Sequence, residues 1–331
     1  MNEAKSSSEI VSWIFKNKKF IVTPGYRSKE LELKESEYRK RTGKRKRFFA
    51  VKSKLAIIGI IIILIVISFA VFSSWLSPYT LEEASTVYSS NQWFAPPSPD
   101  HPLGQTFRGR DVLARIIYGA LSTLVISVCS VLISLILGVL LGLIAACYGG
   151  WIDTILMRIM DIILSFPGIV LAITIIALNR DPYAYVPLTQ SIVSFIMIFG
   201  LIGIPHFARL IRASAIQVRD LPYMDAARVI GANKKRLMFR HILPNCIYPI
   251  IISFTHRIGG VIISLSVLSF LGFSDRRLIE WGNDISNASI NMIGAPWALL
   301  FPSLMILITV LGFMLLGDGL RESFDPILKN L

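Results

Sequence analysis

Six stretches of this chain are almost continuously apolar, and polar and charged residues collect in the segments between them. They run over about 55–75, 117–146, 156–178, 189–208, 246–272 and 296–317. Each is long enough to cross a bilayer as a helix, which takes about 20 residues. The first is the cleanest: Ile57 to Ile67 is unbroken Ile, Leu and Val apart from Gly59. Gly138 and Gly142 give the second stretch a small-residue face suited to close helix packing. Pro167-Gly168 allows a kink in the third. The pattern predicts an all-α integral membrane protein with six transmembrane helices.

Composition agrees. Of 331 residues 53% are hydrophobic and 17% charged, and the mean hydropathy is +0.62, values that argue against a soluble domain. The first apolar stretch begins too far from the N-terminus for a cleavable signal peptide, and no small-residue cleavage site follows it, so it is expected to remain as an anchor. Cys129, Cys147 and Cys246 lack metal or redox spacing and are assigned to packing. His101, His206, His241 and His256 form no metal-ligating pattern, so neither a metal site nor a catalytic residue is expected.

The net charge of +13 is unevenly distributed. Lys and Arg crowd residues 16–54 and 209–240 and are sparse in alternate connections, which places the crowded segments on the cytoplasmic side. The predicted order is a basic cytoplasmic segment (1–54), a first span (55–75), an external loop (76–116) and a core of spans two to six (117–317). A cytoplasmic loop (209–245) lies within that core, and a cytoplasmic tail (318–331) follows it. Trp13, Ile14, Phe15, Phe20 and Ile21 among lysines suggest contact with the membrane surface. Topology and anionic lipid headgroups account for the basic balance; a nucleic-acid partner is not expected.

Charge inside the spans is scarce and therefore informative. Arg158 and Asp161, three apart, are expected to pair on one helix face as a structural ion pair. Arg257 sits toward the middle of span five and must face a wet cavity or another helix. With Leu265 and Ser269 it is a candidate for lining a pathway.

The loop 209–245 carries helix punctuation. Asp220 and Pro222 open a short helix, Gly231 suits its left-handed end, and Asn233 can cap a second helix that Pro244 limits. Ala226 and Ala227 offer a flat face that another protein could approach.

Asp225-Ala226-Ala227, three residues, Gly231, and then Leu243-Pro244 resembles the signature loop of the permease subunits of binding-protein-dependent ABC importers. Asp225 stands where glutamate is more usual, and His241 where an aliphatic residue is commoner. His101-Pro102-Leu103-Gly104 with Gly109-Arg110-Asp111, Ser165-Phe166-Pro167, Leu268-Ser269-Phe270-Leu271-Gly272, Trp281-Gly282 and Leu316-Gly317-Asp318-Gly319 are similar to the second permease of the dipeptide/oligopeptide branch. The likeness covers roughly 50–331. Gln105-Thr106, Leu265 (a common glutamate position) and Ser274-Asp275-Arg276-Arg277 depart from it. All three lie toward the external or pathway side.

The resemblance implies a type I importer subunit that pairs with a homologous permease as a heterodimer. Two ABC ATPases would dock on Pro222, Tyr223, Asp225, Ala226, Ala227, Gly231, Leu243 and Pro244, and an external binding protein would deliver peptides. ATP and Mg belong to the ATPases: the only Gly-Lys pair, Gly43-Lys44, lacks the rest of a phosphate-binding loop. Oligosaccharides or nickel complexes are alternative cargoes. An ion-coupled carrier is the rival mechanism, set back by the absence of a carboxylate at any span centre.

Overall fold

The computed structural model describes residues 53–85, 93–179 and 188–324. Most of the basic N-terminal segment and the end of the C-terminal tail lie outside them. The described residues contain no strand. The main helices are α1 (Lys54–Val71), α2 (Val112–Tyr148), α3 (Gly150–Leu164), α4 (Gly168–Asn179), α5 (Leu188–Arg219), α6 (Pro222–Val229), α7 (Ile247–Phe270), α8 (Trp281–Ala288) and α9 (Pro296–Phe324).

Five of them, α1, α2, α5, α7 and α9, are each long and apolar enough to cross a membrane; α3 and α4 supply a sixth span if their bent pair counts as one. The kink that Pro167-Gly168 allows in the third span is therefore a full break. The halves of the span meet at 82°. Pro167 has no N–H to donate, and its ring disfavours a helical residue before it. The chain turns at Ser165-Phe166 and restarts with Pro167 in the first turn, where its carbonyl accepts from the Leu171 amide at 3.0 Å.

Several helices overrun their apolar stretches, α9 among them, which continues through Phe324 into the tail expected from 318. α2 starts at Val112 rather than 117 because Asp111 caps it, its carboxylate accepting from the Ala114 amide at 2.7 Å. α5 continues through Arg219, so the first part of the expected loop 209–245 is helix. Loss of hydropathy marks where a helix leaves lipid; only caps and glycines mark where it ends.

The central contact joins α2 and α5. A Cβ on Gly138 would lie 2.6 Å from the Phe207 Cβ, and one on Gly142 would overlap the Ala208 carbonyl oxygen. Lipid tails are as apolar as side chains, so helices in a membrane gain from backbones packed this closely. Ser134 adds a bond across the seam, donating to the Gly200 carbonyl at 2.7 Å. A second seam joins α1 to α9, where a Cβ on Gly59 would come 2.6 Å from the Leu316 nitrogen. Those helices are antiparallel: Ser53 reaches Glu322 at one end, and Ile62 meets Gly312 further along. α1 buries only 22% of its apolar window, against 50% for α5. Leu55, Ile58, Ile61, Leu64 and Ile65 on its outer side are exposed, as a lipid-facing stripe requires.

The seams give a test. Gly142→Leu is expected to cost about 1–3 kcal/mol by overpacking and to lower the Tm of the detergent-purified protein. Gly260→Ala, where an added Cβ meets nothing within 4 Å, is expected to leave the Tm unchanged or raise it slightly.

Candidate functional site

The C-terminal ends of α2 and α5 meet on one face of the bundle. There Arg219 donates to the Ala146 carbonyl at 2.8 Å, and the chain turns into α6. Leu221 is extended and Pro222 occupies the first helical turn. Met224 is fully buried among Leu143, Ile211, Met238 and Ile242, with Ala227 one turn on packed beside it. The opposite side presents Tyr223, Asp225 and Ala226 to the outside. Val229 and Ile230 are each 87% exposed, an unusual load of apolar surface for so short a helix.

The C-terminal end of α6 is closed. Gly231 has φ +88°, a conformation glycine adopts without steric penalty. Its N–H donates to the Arg228 carbonyl at 2.9 Å, and the Ala232 N–H donates to the Ala227 carbonyl at 3.0 Å. This double bond pattern is the Schellman helix stop. Asn233 then caps the next turn through the Arg236 amide at 2.8 Å. Lys234–Arg236 passes into a π-turn, Leu237–Ile242, and a 3₁₀ turn, Leu243–Asn245. Asn245 ties the second half to the first by donating to the His241 carbonyl at 2.6 Å and the Tyr223 hydroxyl at 3.3 Å. Tyr223, Leu243 and Pro244 thus belong to one compact unit. The Asp225–Arg228 pair, 2.5 Å apart, is exposed and contributes under about 1 kcal/mol.

α6 is thus a short amphipathic helix held across the ends of α2 and α5 with an apolar edge outward. Residues 138–330 match the family described as binding-protein-dependent transport system inner membrane component. The chain belongs to that family. Residues 45–97 match the N-terminal transmembrane domain of oligopeptide transport permease C. The permease is 38% identical over 280 residues to the glutathione transport system permease protein GsiD of Pectobacterium atrosepticum, covering 84% of this chain and 89% of that one. It is equally identical, over the same share of this chain and 88% of the relative, to the dipeptide transport system permease protein DppC of Alkalihalophilus pseudofirmus. Its fold is similar to that in inward-facing structures of the MetNI methionine ABC transporter, with a TM-score of 0.50 and 18% identity over 63% of this chain and 96% of that one. The permease is a multi-pass membrane protein and the transmembrane subunit of an ABC importer.

The structure corrects several of the expected site residues. Leu265 is fully buried and Ser269 is 1% exposed. Leu265 packs with Ile258, Ile262 and Phe313 in the permease's own core, so neither side chain reaches a pathway wall. Asp161 pairs with Arg209 of α5 at 2.5 Å instead of with Arg158. The break at Pro167 leaves α3 lying against α5, and Arg212 binds Asp153 in the same way with two bonds of 2.5 and 2.6 Å. Gln105 and Thr106, expected in an external polar site, are buried; the Gln105 carbonyl accepts from Trp297 at 3.2 Å.

At the other end of the bundle lies a buried charged cluster that the hydropathy pattern did not reveal. Arg115, 2% exposed, forms an ion pair with Asp284, 3% exposed, and donates to the Ala84 carbonyl at 2.9 Å. Trp281 is fully buried and donates to the Ile116 carbonyl at 3.0 Å. Burial and the neighbouring Arg115 lower the Arg110 guanidinium to about 10. Glu280, fully buried, caps α8 by accepting from the Gly282 and Asn283 amides at 3.0 and 3.1 Å. Assigning 76–116 to a loop hid Arg115, whose partner lies in an unrelated stretch of sequence. The visible signal was Asp111 as a helix cap four residues earlier.

Burial raises the Glu280 carboxyl above its ordinary value, outweighing the two amide donations. A carboxyl with a raised folded-state value favours the protonated folded form. It costs nothing below the unfolded value and an increasing amount as pH rises from there. Glu280→Gln should therefore gain stability relative to the parent as pH rises from about 4 toward neutrality. Glu280→Ala, which loses the cap, should lose about 0.5–2 kcal/mol at acidic pH as well. Thermal melts of both variants from pH 4 to 8 measure the two effects.

Proposed function

We propose that this permease forms half of the translocation pathway of an ATP-driven importer of di- and oligopeptides. The second half would be a homologous permease, making a heterodimer in the lipid bilayer. An external binding protein would deliver the peptide, and two cytoplasmic ABC ATPases, which hold the ATP and Mg²⁺, would drive the cycle. The α6 face, basic through Arg228, Lys234, Lys235, Arg236 and Arg240, is read as cytoplasmic by the positive-inside rule, together with both termini.

The observation that carries this reading is the construction of α6. Met224 and Ala227 fasten it to α2, α5 and the π-turn, while Tyr223, Asp225, Ala226, Val229 and Ile230 face outward. Such a helix can seat in a groove of a soluble partner and pass that partner's movement into α5 without bending. Pro222, Gly231, Leu243 and Pro244 fix its ends and its support. The peptide assignment is supported by the names of its relatives, one a dipeptide permease and one a glutathione permease.

The test is uptake by the complete complex in proteoliposomes. Gly231→Pro forbids the positive φ, and Ala226→Asp places a charge on the outward face. Each should lower substrate-stimulated uptake at least about tenfold, the equivalent of 1.4 kcal/mol, with membrane insertion unchanged. Normal uptake in both variants would remove the coupling role. Uptake that persists without ATP and collapses with an ionophore would instead favour an ion-coupled carrier.

A further inference from the structure

α5 and α7 present a polar site to each other inside the membrane. On α7, Ser253 and Arg257 are four residues apart and share a face; on α5, Gly203 and His206 are three apart and share another. The His206 ring bonds to the Ser253 hydroxyl at 2.9 Å across the gap. The Arg257 guanidinium lies beside Gly203, where an added Cβ would overlap Ser134 of α2 and sit 3.2 Å from the arginine's terminal nitrogen. The glycine is required by the contact with α2, and the arginine head group lies next to that contact.

The site lies toward the α6 end of the bundle. Arg257 is about 15 Å along α7 at 1.5 Å per residue, and its neighbour His256 pairs with Asp318 near the end of α9 at 3.2 Å. Arg257 has no ion pair or hydrogen bond among the described residues, whereas Arg115, Arg209 and Arg212 each hold a carboxylate. An unpaired cation within a span is expensive against lipid and is retained where water or an anion reaches it.

The opening of the site also points away from lipid. His206 is exposed, and three residues further along α5 the Arg209–Asp161 pair is 48% and 44% exposed. This polar line on α5 contrasts with the wholly apolar outer stripe of α1. It marks the side of the bundle that faces water or a second subunit.

We infer that Arg257, flanked by His206 and Ser253, is an anion subsite toward the α6 end of the spans that engages a carboxylate of the transported peptide. A guanidinium binds carboxylate through paired N–H donors, and the neighbouring imidazole and hydroxyl supply further polar contacts. The inference rests on the peptide reading above and assigns this chain a part in selectivity beyond that of the binding protein.

The complete importer, reconstituted in proteoliposomes, is given a peptide with a free C-terminal carboxylate and its amidated counterpart. Each is supplied at a concentration that saturates the binding protein. Arg257→Gln should lower uptake of the free acid about tenfold or more and uptake of the amide by less than about threefold. Arg257→Lys, which keeps the charge but loses the fork, should fall between on the free acid. Equal losses on both peptides would assign Arg257 to packing and overturn the inference. Failure of the Arg257→Gln chain to co-purify with the second permease would assign it to subunit pairing, with the same result. If the unaltered importer takes up neither peptide, the substrate reading itself falls and the subsite falls with it. That outcome is read without any variant.

Discussion

The close approach of α2 and α5 is the contact on which the rest of the permease depends. Glycines at 138, 142 and 203 and the small Ala208 let two long helices touch backbone to backbone. Water drives apolar surfaces together in soluble proteins; in lipid that force is absent between helices, and contact area at short range replaces it. Once the two rods are locked, their ends are fixed as well. One end carries Arg219 against Ala146 and the platform for α6. The other carries Arg115 and Trp281, which clamp α8 to the start of α2.

The two ends use different chemistry. The α6 end is apolar at its base, with Met224 sunk among Leu143, Ile211 and Ile242, and basic on its surface. The opposite end is held by a desolvated ion pair, Arg115–Asp284, and a buried carboxylate cap, Glu280. Burying charge is costly unless it is paired and hydrogen-bonded. In exchange it is orientation-specific, because the pair closes only when α8 sits in one register on α2. A purely apolar contact would tolerate sliding. The sheltered ion pair thus acts as a register pin, whereas α6 leaves an apolar edge exposed.

The spans, the punctuation of α6 and the small-residue face of α2 were legible because each depends on local pattern: apolar length, caps, proline and a glycine that needs positive φ. Relations between distant segments were not. Asp161 lies three residues from Arg158, and sequence spacing pairs them; the 82° break at Pro167 lays α3 along α5, and Arg209 takes the carboxylate. Leu265 and Ser269 were read as pathway residues from a family position, yet α7 turns that face toward α9 and Trp281. Arg257, eight residues earlier and about 80° further round the helix, meets Gly203 on α5 instead. A hydropathy profile contains depth and almost nothing about azimuth, and azimuth decides which residues line a pathway.

Azimuth also links the two proposed functions. α5 is one helix from Leu188 to Arg219, with Pro205 accommodated inside it. His206 stands on it in the half nearer α6, and Arg219 at its end abuts the turn into α6, where Arg228 reaches back to the Arg219 carbonyl at 3.5 Å. The distance from His206 to Arg219 is about 20 Å along a helix rising 1.5 Å per residue. A rotation imposed at α6 would turn His206 with the rod, while Ser253 and Arg257 remain on α7. The 2.9 Å contact between His206 and Ser253 bridges the two helices at the level where such a rotation would open or close the subsite. In this arrangement the energy of ATP would reach the peptide's carboxylate through a change of helix azimuth, with α5 and α2, locked by their glycine seam, moving together against α7.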